Sequence, residues 1–303
     1  MLPRYGAARD ERGVVVLAGG RVYDAGIVLT PDGATVISDL TRNFGYRGDG
    51  RHWLQNYRWM GPPTPVEGRT AVVAVNLGKG YAHWLLEEFP RWLSLRADDA
   101  ENVIAHDRAP FISEVCALAG FKQRVVSATR HGHWVCETLV IPPVVTMDAR
   151  TVETVTAFAF GQKLPVSVSG EKLYITRENA TRRRVGNEGE LWARLEGRGF
   201  VKLSLEAMSW REQVAAFAAA RVVVAPHGAG LANVVFCSAG TRVVEFFNRS
   251  YVNPCFEHWA RAARLDYRAV VPAGEEAVGV ERRANREDIM ADIPAILAAV
   301  DES

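Results

Sequence analysis

Short apolar runs, broken at intervals by glycine, proline and polar clusters, set the plan of this chain. Between residues 14 and 40 three β-rich runs, Val14 to Ala18, Gly26 to Thr30 and Ala34 to Ser38, are separated by Gly-Gly and Pro-Asp-Gly turns. That pattern predicts an opening β-meander. After the loop Gly61-Pro-Pro-Thr-Pro65 the spacing changes, and strands begin to alternate with helices. Thr70 to Asn76 reads as a strand, Tyr81 to Arg96 as a helix, and Asn102 to His106 as a strand. Phe111 to Ala119 follows as a helix, with Arg124 to Ser127 and Thr138 to Ile141 as short strands. Asp148 to Phe160 has helical spacing, and Gln162 to Gly170 reads as a linker.

The second half repeats the alternation more cleanly. Lys172 to Arg177 is a strand, and Asn187 with Glu190 opens a capped helix that Gly199 follows. Val201 to Leu205 is a strand, and Ser209-Trp-Arg-Glu212 is a second capping box. Val222 to Ala225 is an apolar strand running into Pro226-His-Gly-Ala-Gly230 and a helix-like Leu231 to Cys237, with Arg242 to Phe247 as the next strand. Strands separated by helices of about ten residues give parallel sheets. Two such halves predict an α/β fold of two Rossmann-like domains facing across a cleft. The expected boundaries are 1–164, 165–285, and a C-terminal segment 286–303 whose amphipathic helix, Arg286 to Val300, packs back on the first domain. Ligands are expected at the carboxyl ends of the strands.

Composition narrows the function. The chain has 303 residues, 48% apolar and 23% charged, which is globular composition. A net charge of +1 argues against a general nucleic-acid binder. Cys116, Cys136, Cys237 and Cys255 are widely spaced and read as reduced thiols of a cytoplasmic protein. Met1 to Gly13 carries no apolar signal core, and no run approaches the roughly 20 apolar residues of a membrane span. The expected place is therefore the cytoplasm, with peripheral association at the inner face of the membrane left open.

The candidate chemistry lies at strand ends. In the second half, a strand stopping at Gly228, Ala229 and Gly230 before a helix offers free N–H groups to a phosphate, the alternative being an ordinary strand-to-helix turn. Arg177 ends its strand, and Arg182, Arg183 and Arg184 follow in a loop. Guanidinium forks suit phosphate, although a solvated charge cluster competes for the triple run. His227 is a candidate donor to a phosphate or sugar hydroxyl, and Asn233 to the ligand or to the loop backbone. Glu245, in an otherwise apolar strand, is either a ribose contact or half of a buried ion pair. In the first half, helical spacing puts His83 and Glu87 on one face, with Glu88 adjacent, while Trp84, Leu85 and Phe89 point to the core. A plain surface i,i+4 pair is the competing account.

Leu173-Tyr-Ile-Thr-Arg177, Ala219 through Asn233 and Val243-Val-Glu-Phe246 together resemble glycosyltransferase family 61, over roughly residues 70 to 250. Bacterial members are described as capsular polysaccharide biosynthesis proteins. The resemblance implies a GT-B fold, an inverting mechanism, and a nucleotide-sugar donor held by the second domain, with the acceptor on the first. Asn76, His83, Glu87 and Pro90 match the family's first-half pattern, although some members carry Asp where this chain has Glu87. Under that resemblance Glu87, with His83, activates an acceptor hydroxyl of a glycan or polysaccharide. Arg177, Arg182 and the segment His227, Gly228, Ala229, Gly230 and Leu231 hold the diphosphate, with Asn233 and Glu245 nearby. No resident cofactor is expected; the co-substrate is a nucleotide sugar, with UDP the leading expectation. Asp98-Asp99 and Asp148 do not form the Asp-x-Asp of metal-dependent transferases, and His131-Gly-His-Trp-Val-Cys136 lacks a second ligand cluster for zinc. Two other readings stay open at this point. A nucleotide-sugar epimerase differs by turnover without an acceptor, and a non-catalytic binding subunit by nucleotide binding with no turnover to lose. A dinucleotide oxidoreductase fits less well, because Gly19-Gly20 does not continue as G-x-G-x-x-G.

Overall fold

The computed structural model describes residues 8–41, 52–56, 60–166, 170–272 and 287–302. Residues 167–169 of the expected linker, and Arg286 at the start of the expected terminal helix, lie outside them. The chain divides into two compact units, Met1–Thr146 and Met147–Ser303.

Unit 1 is built on an eight-stranded sheet. Its antiparallel part comprises β1 (Ala8–Arg9), β2 (Val15–Ala18), β3 (Arg21–Tyr23) and β4 (Ile27–Leu29). The parallel part comprises β5 (Thr64–Val72), β6 (Asn102–Ala105), β7 (Arg124–Ser127) and β8 (His133–Ile141), ordered β8-β5-β6-β7. The meander differs from expectation. Ala34 to Ser38 contributes only a bridge between Val36 and Leu29, while the short run Arg21–Tyr23 pairs with both β4 and β8. β5 begins inside the expected Pro-rich loop and absorbs it through a bulge between Val66 and Arg69, where Gly68 takes φ 72°.

Between β5 and β6 runs one helical segment with an irregular middle. It reads α1 (Tyr81–His83), a π-helical turn (Trp84–Glu88) and α2 (Phe89–Leu93). Pro90 explains the widening, since its ring would collide with the Leu86 carbonyl of a regular helix and it has no N–H to donate. Phe89 N–H instead reaches the Trp84 carbonyl, the π spacing. Trp84, Leu85 and Phe89 are fully buried, as their spacing predicted. α3 (Pro110–Ala119) leads from β6 to β7 and stops at Gly120, in the left-handed region at φ 64°.

Unit 2 contains α4 (Ala149–Phe160), β9 (Lys172–Ile175), α5 (Glu188–Glu196), β10 (Val201–Leu203), α6 (Trp210–Ala219) and β11 (Val222–Pro226). A 3-10 helix (Ala229–Phe236), β12 (Arg242–Phe246), α7 (Cys255–Ala262), β13 (Asp266–Val270) and α8 (Ile293–Asp301) complete it. Its sheet is wholly parallel, ordered β10-β9-β11-β12-β13, so the winding reverses between β9 and β11. Val223, Val224, Val243 and Val244 are fully buried, as apolar runs covered on both faces should be.

Three expectations are corrected here. The units divide at Thr146/Met147 rather than near 165, because α4 belongs with unit 2, where Phe158 meets Trp210 at 5.9 Å. The terminal helix starts at Ile293, capped by Asp292, and buries Ile293, Ile296 and Ala299 in the core of unit 2, not on the first domain. Asn187 does not cap α5 with its side chain. Its amide is taken instead by Ala291, exchanging two 2.9 Å hydrogen bonds with that residue's backbone. The Ser209–Glu212 capping box forms in full.

Candidate active site

In unit 2 the winding reversal brings the ends of β9 and β11 side by side, and both carry predicted site residues. Arg177, just past β9, donates from Nε to the Arg183 carbonyl (3.1 Å) and from Nη2 to the Arg182 carbonyl (2.9 Å). Its remaining nitrogen, Nη1, lies so close to Gly228 that a Cβ there would collide with it. The glycine is therefore required for space. Its φ of 175° is extended backbone that any residue adopts. Gly230 is held by the same logic, because a Cβ would come within 2.7 Å of Leu205 Cδ1. The segment beyond is a 3-10 helix rather than the expected α-helix. Leu231 N–H closes its first turn on the Gly228 carbonyl, and the N–H groups of Ala229 and Gly230 precede that turn.

The basic loop sorts itself by burial. Arg182 is exposed, whereas Arg183 is half-buried with φ 54° and places its guanidinium 5.5 Å over the Tyr251 ring. Burial, then repulsion from Arg183, pushes the Arg177 pKa down to about 10, against an opposing pull from Glu206. Burial lowers that of Arg183 as well. Among the described residues neither guanidinium has a carboxylate hydrogen-bonded to it. Two half-buried cations thus stand together past the strand ends with no carboxylate of the described residues hydrogen-bonded to either, Glu206 and Glu245 acting on them only at longer range. Such charge is costly unless an anion arrives.

His227 and Glu245 meet, which the sequence did not anticipate. His227 Nδ1 lies 2.5 Å from Glu245 Oε1, and Tyr267 donates its hydroxyl to Oε2, also at 2.5 Å. Glu245 is fully buried with both oxygens engaged. Of the two expectations for Glu245, a ribose contact or half of a buried pair, these contacts correspond to the second. His227 stacks on Phe247, with Tyr251 and Phe256 around it. Asn233 is fully buried and donates to Gln213 (2.9 Å), tying the 3-10 helix to α6. Leu231 is buried as well, so only its backbone belongs to the loop.

Unit 1 has its own reversal, between β5 and β8, and Arg91 is inserted there. It is fully buried and donates to the carbonyls of Val73 (3.1 Å), Ala74 (3.4 Å) and Pro142 (3.4 Å), joining the ends of the two strands. On the turn before it, Glu87 and Glu88 diverge. Glu87 Oε1 pairs with His83 Nδ1 at 2.6 Å. Glu88 is fully buried and accepts from Val75 N–H (3.2 Å), His106 N–H (2.6 Å) and His106 Nδ1 (2.8 Å). Gly78 is packed so tightly here that a Cβ would come within 2.6 Å of His106 Nδ1. Glu88 is a fastening, and the pair that reaches solvent is His83–Glu87, with side chains 37% and 8% exposed.

Sequence reasoning overlooked Arg91, Tyr267 and the Glu88–His106 pair, and named Arg183 only as one of a triple run. Pro90 was a legible sign of the irregular turn, while nothing local distinguished Arg183 from its neighbours. His131 and His133, discounted as zinc ligands, are engaged elsewhere, with Tyr23 (3.2 Å) and the Gly61 carbonyl (2.7 Å).

A family model described as Glycosyltransferase 61 matches residues 81–244, more than half of the chain. The chain belongs to glycosyltransferase family 61. Membership implies transfer of a glycosyl group from a donor to an acceptor. The matched span runs from α1 to β12, so it contains His83, Glu87, Arg177 and the His227 to Leu231 loop, while Asn76 and Glu245 fall just outside. No curated protein matches the chain. Among the described residues no helix is long and apolar enough to cross a membrane.

Proposed function

We propose that this family 61 protein is an inverting glycosyltransferase that moves a sugar from a nucleotide diphosphate to a hydroxyl of a glycan or polysaccharide. The observation that carries this reading is the pair of half-buried guanidiniums, Arg177 and Arg183, hydrogen-bonded to no carboxylate among the described residues, with Arg177 beside the Gly228 loop. A diphosphate supplies the missing negative charge, and its oxygens suit both the guanidinium forks and the loop N–H groups. His227, oriented by Glu245 and Tyr267, adds a donor at the same strand ends. With the GT-B arrangement typical of the reading, the acceptor meets unit 1.

In the reaction, the acceptor oxygen attacks the anomeric carbon from the face opposite the phosphate. The C–O bond to the phosphate breaks with its electron pair, and configuration inverts. The acceptor's proton passes to the His83–Glu87 pair, His83 receiving it as the more exposed member and Glu87 holding the ring. Charge gathering on the leaving diphosphate is met by Arg177, Arg183 and the loop amides, fixed before the reaction begins. UDP is the preferred carrier under this reading, with the cytoplasm as the place of action and a surface polysaccharide as product.

A thermal-shift panel of nucleoside diphosphates and nucleotide sugars tests the donor half. Incubating a stabilising sugar nucleotide with and without glycan acceptors, and analysing products, then tests the reaction. Acceptor-dependent release of nucleoside diphosphate is expected. An epimerised donor formed without acceptor would overturn it.

A further inference from the structure

A cavity of about 190 Å³ opens in unit 1 between α2, α3 and the ends of β6 and β7. Its volume is well below the roughly 300–1,000 Å³ of sites for drug-sized ligands, and it matches a single ring. Trp92 and Phe121, stacked on one another at 4.2 Å, and Ile112 supply an apolar wall. His106 and Asp107 supply the polar part. Asp107 Oδ1 accepts from the Ser127 hydroxyl (2.7 Å).

His106 decides what kind of ring. Its side chain is 5% exposed, and Glu88 accepts from its Nδ1. A carboxylate that also takes two backbone N–H groups acts as an acceptor, which places a proton on Nδ1 and turns Nε2 to the cavity side. Nε2 has no hydrogen-bond partner among the described residues. A ring nitrogen that lines the cavity in this way can hydrogen-bond a hydroxyl, which both donates and accepts. A pyranose offers both requirements, apolar C–H faces for the aromatic wall and hydroxyls at its rim.

We propose that this cavity seats one pyranose ring of the acceptor, with His106 Nε2 hydrogen-bonded to a ring hydroxyl and Glu88 as the positioning residue behind it. The inference rests on the transferase reading for the ring's role as acceptor. The π turn that aims Glu88 at His106 also aims Glu87 at His83, so one turn fixes both the ring seat and the base pair.

The test is saturation-transfer NMR of the full chain with the methyl pyranosides of glucose, galactose, mannose and xylose, alongside nucleoside diphosphates on the same sample. At least one pyranoside should bind. Two variants obstruct the seat from α3, Cys116→Phe within the cavity and Ser113→Trp at its exposed mouth, and both should weaken that binding by about tenfold or more while melting cooperatively. Absence of pyranoside binding, or undiminished binding in both variants, overturns the proposal. Nucleotide binding without pyranoside binding removes the cavity and keeps the transferase reading. Pyranoside binding without any nucleotide binding does the reverse.

Discussion

The two units solve the same structural problem and end with opposite chemistry. Each closes its parallel strand ends with a fully buried glutamate that holds a histidine, Glu88 with His106 in unit 1 and Glu245 with His227 in unit 2. Around that shared fastening the charges differ. Unit 1 buries its arginine, Arg91, among carbonyls and leaves a second carboxylate–imidazole pair, His83–Glu87, near solvent. Unit 2 places Arg177 and Arg183 past the strand ends with no carboxylate of the described residues hydrogen-bonded to either. Under the proposed function, one strand-end site accepts a proton and the other holds an anion. The difference teaches that function here resides in what surrounds the histidine–glutamate fastening, rather than in the fastening itself.

The largest way to break this comparison is His83→Ala, which should lower kcat by about 10²–10⁴-fold, the usual share of a positioned base, with nucleotide affinity unchanged. Glu87→Gln should cost less than His83→Ala if Glu87 orients the ring. A larger loss would make Glu87 itself the base. Next in size, Arg177→Gln should weaken nucleoside diphosphate binding by about ten- to a hundredfold, the scale of hydrogen bonds to a charged group, measured by calorimetry. The same variant should not lower the melting temperature of the unliganded protein, because it removes a half-buried cation whose pKa burial holds below the ordinary guanidinium range. Gly228→Ala should weaken the same binding by about tenfold by displacing the guanidinium, with no backbone strain.

The smallest effect concerns pH. Below about 10 Arg177 is charged in folded and unfolded chains alike, and its burial is a constant cost. From about 10 up to the ordinary guanidinium range the folded chain binds fewer protons, so this group's contribution to stability rises with pH while the site loses its charge. Diphosphate affinity in wild type should therefore fall as pH passes 10, and the fall should be absent in Arg177→Gln.

Legibility in the sequence followed the range of the forces involved. Apolar runs and capping boxes are local, so the strands of unit 2, the Ser209 cap and the inward face of Trp84, Leu85 and Phe89 could be read directly. The meeting of Arg177 with Gly228 could be anticipated only as two residues at strand ends. The strand order that makes them neighbours is a tertiary fact. Asn187 misled because a local motif suggested one partner and the folded chain offered another, Ala291. Glu245 was correctly singled out as a buried acid, but its partners His227 and Tyr267 come from neighbouring strand ends and strands. The π turn was foreshadowed by Pro90, whose consequence depends on the helix continuing through it.

The division of labour is tested most directly by calorimetric titration of nucleoside diphosphates into wild type, Glu87→Gln and Arg177→Gln. The account predicts one nucleotide that binds wild type and Glu87→Gln with equal affinity and binds Arg177→Gln about tenfold or more weakly. Equal affinity for all three proteins, or loss of binding in Glu87→Gln alone, would contradict it.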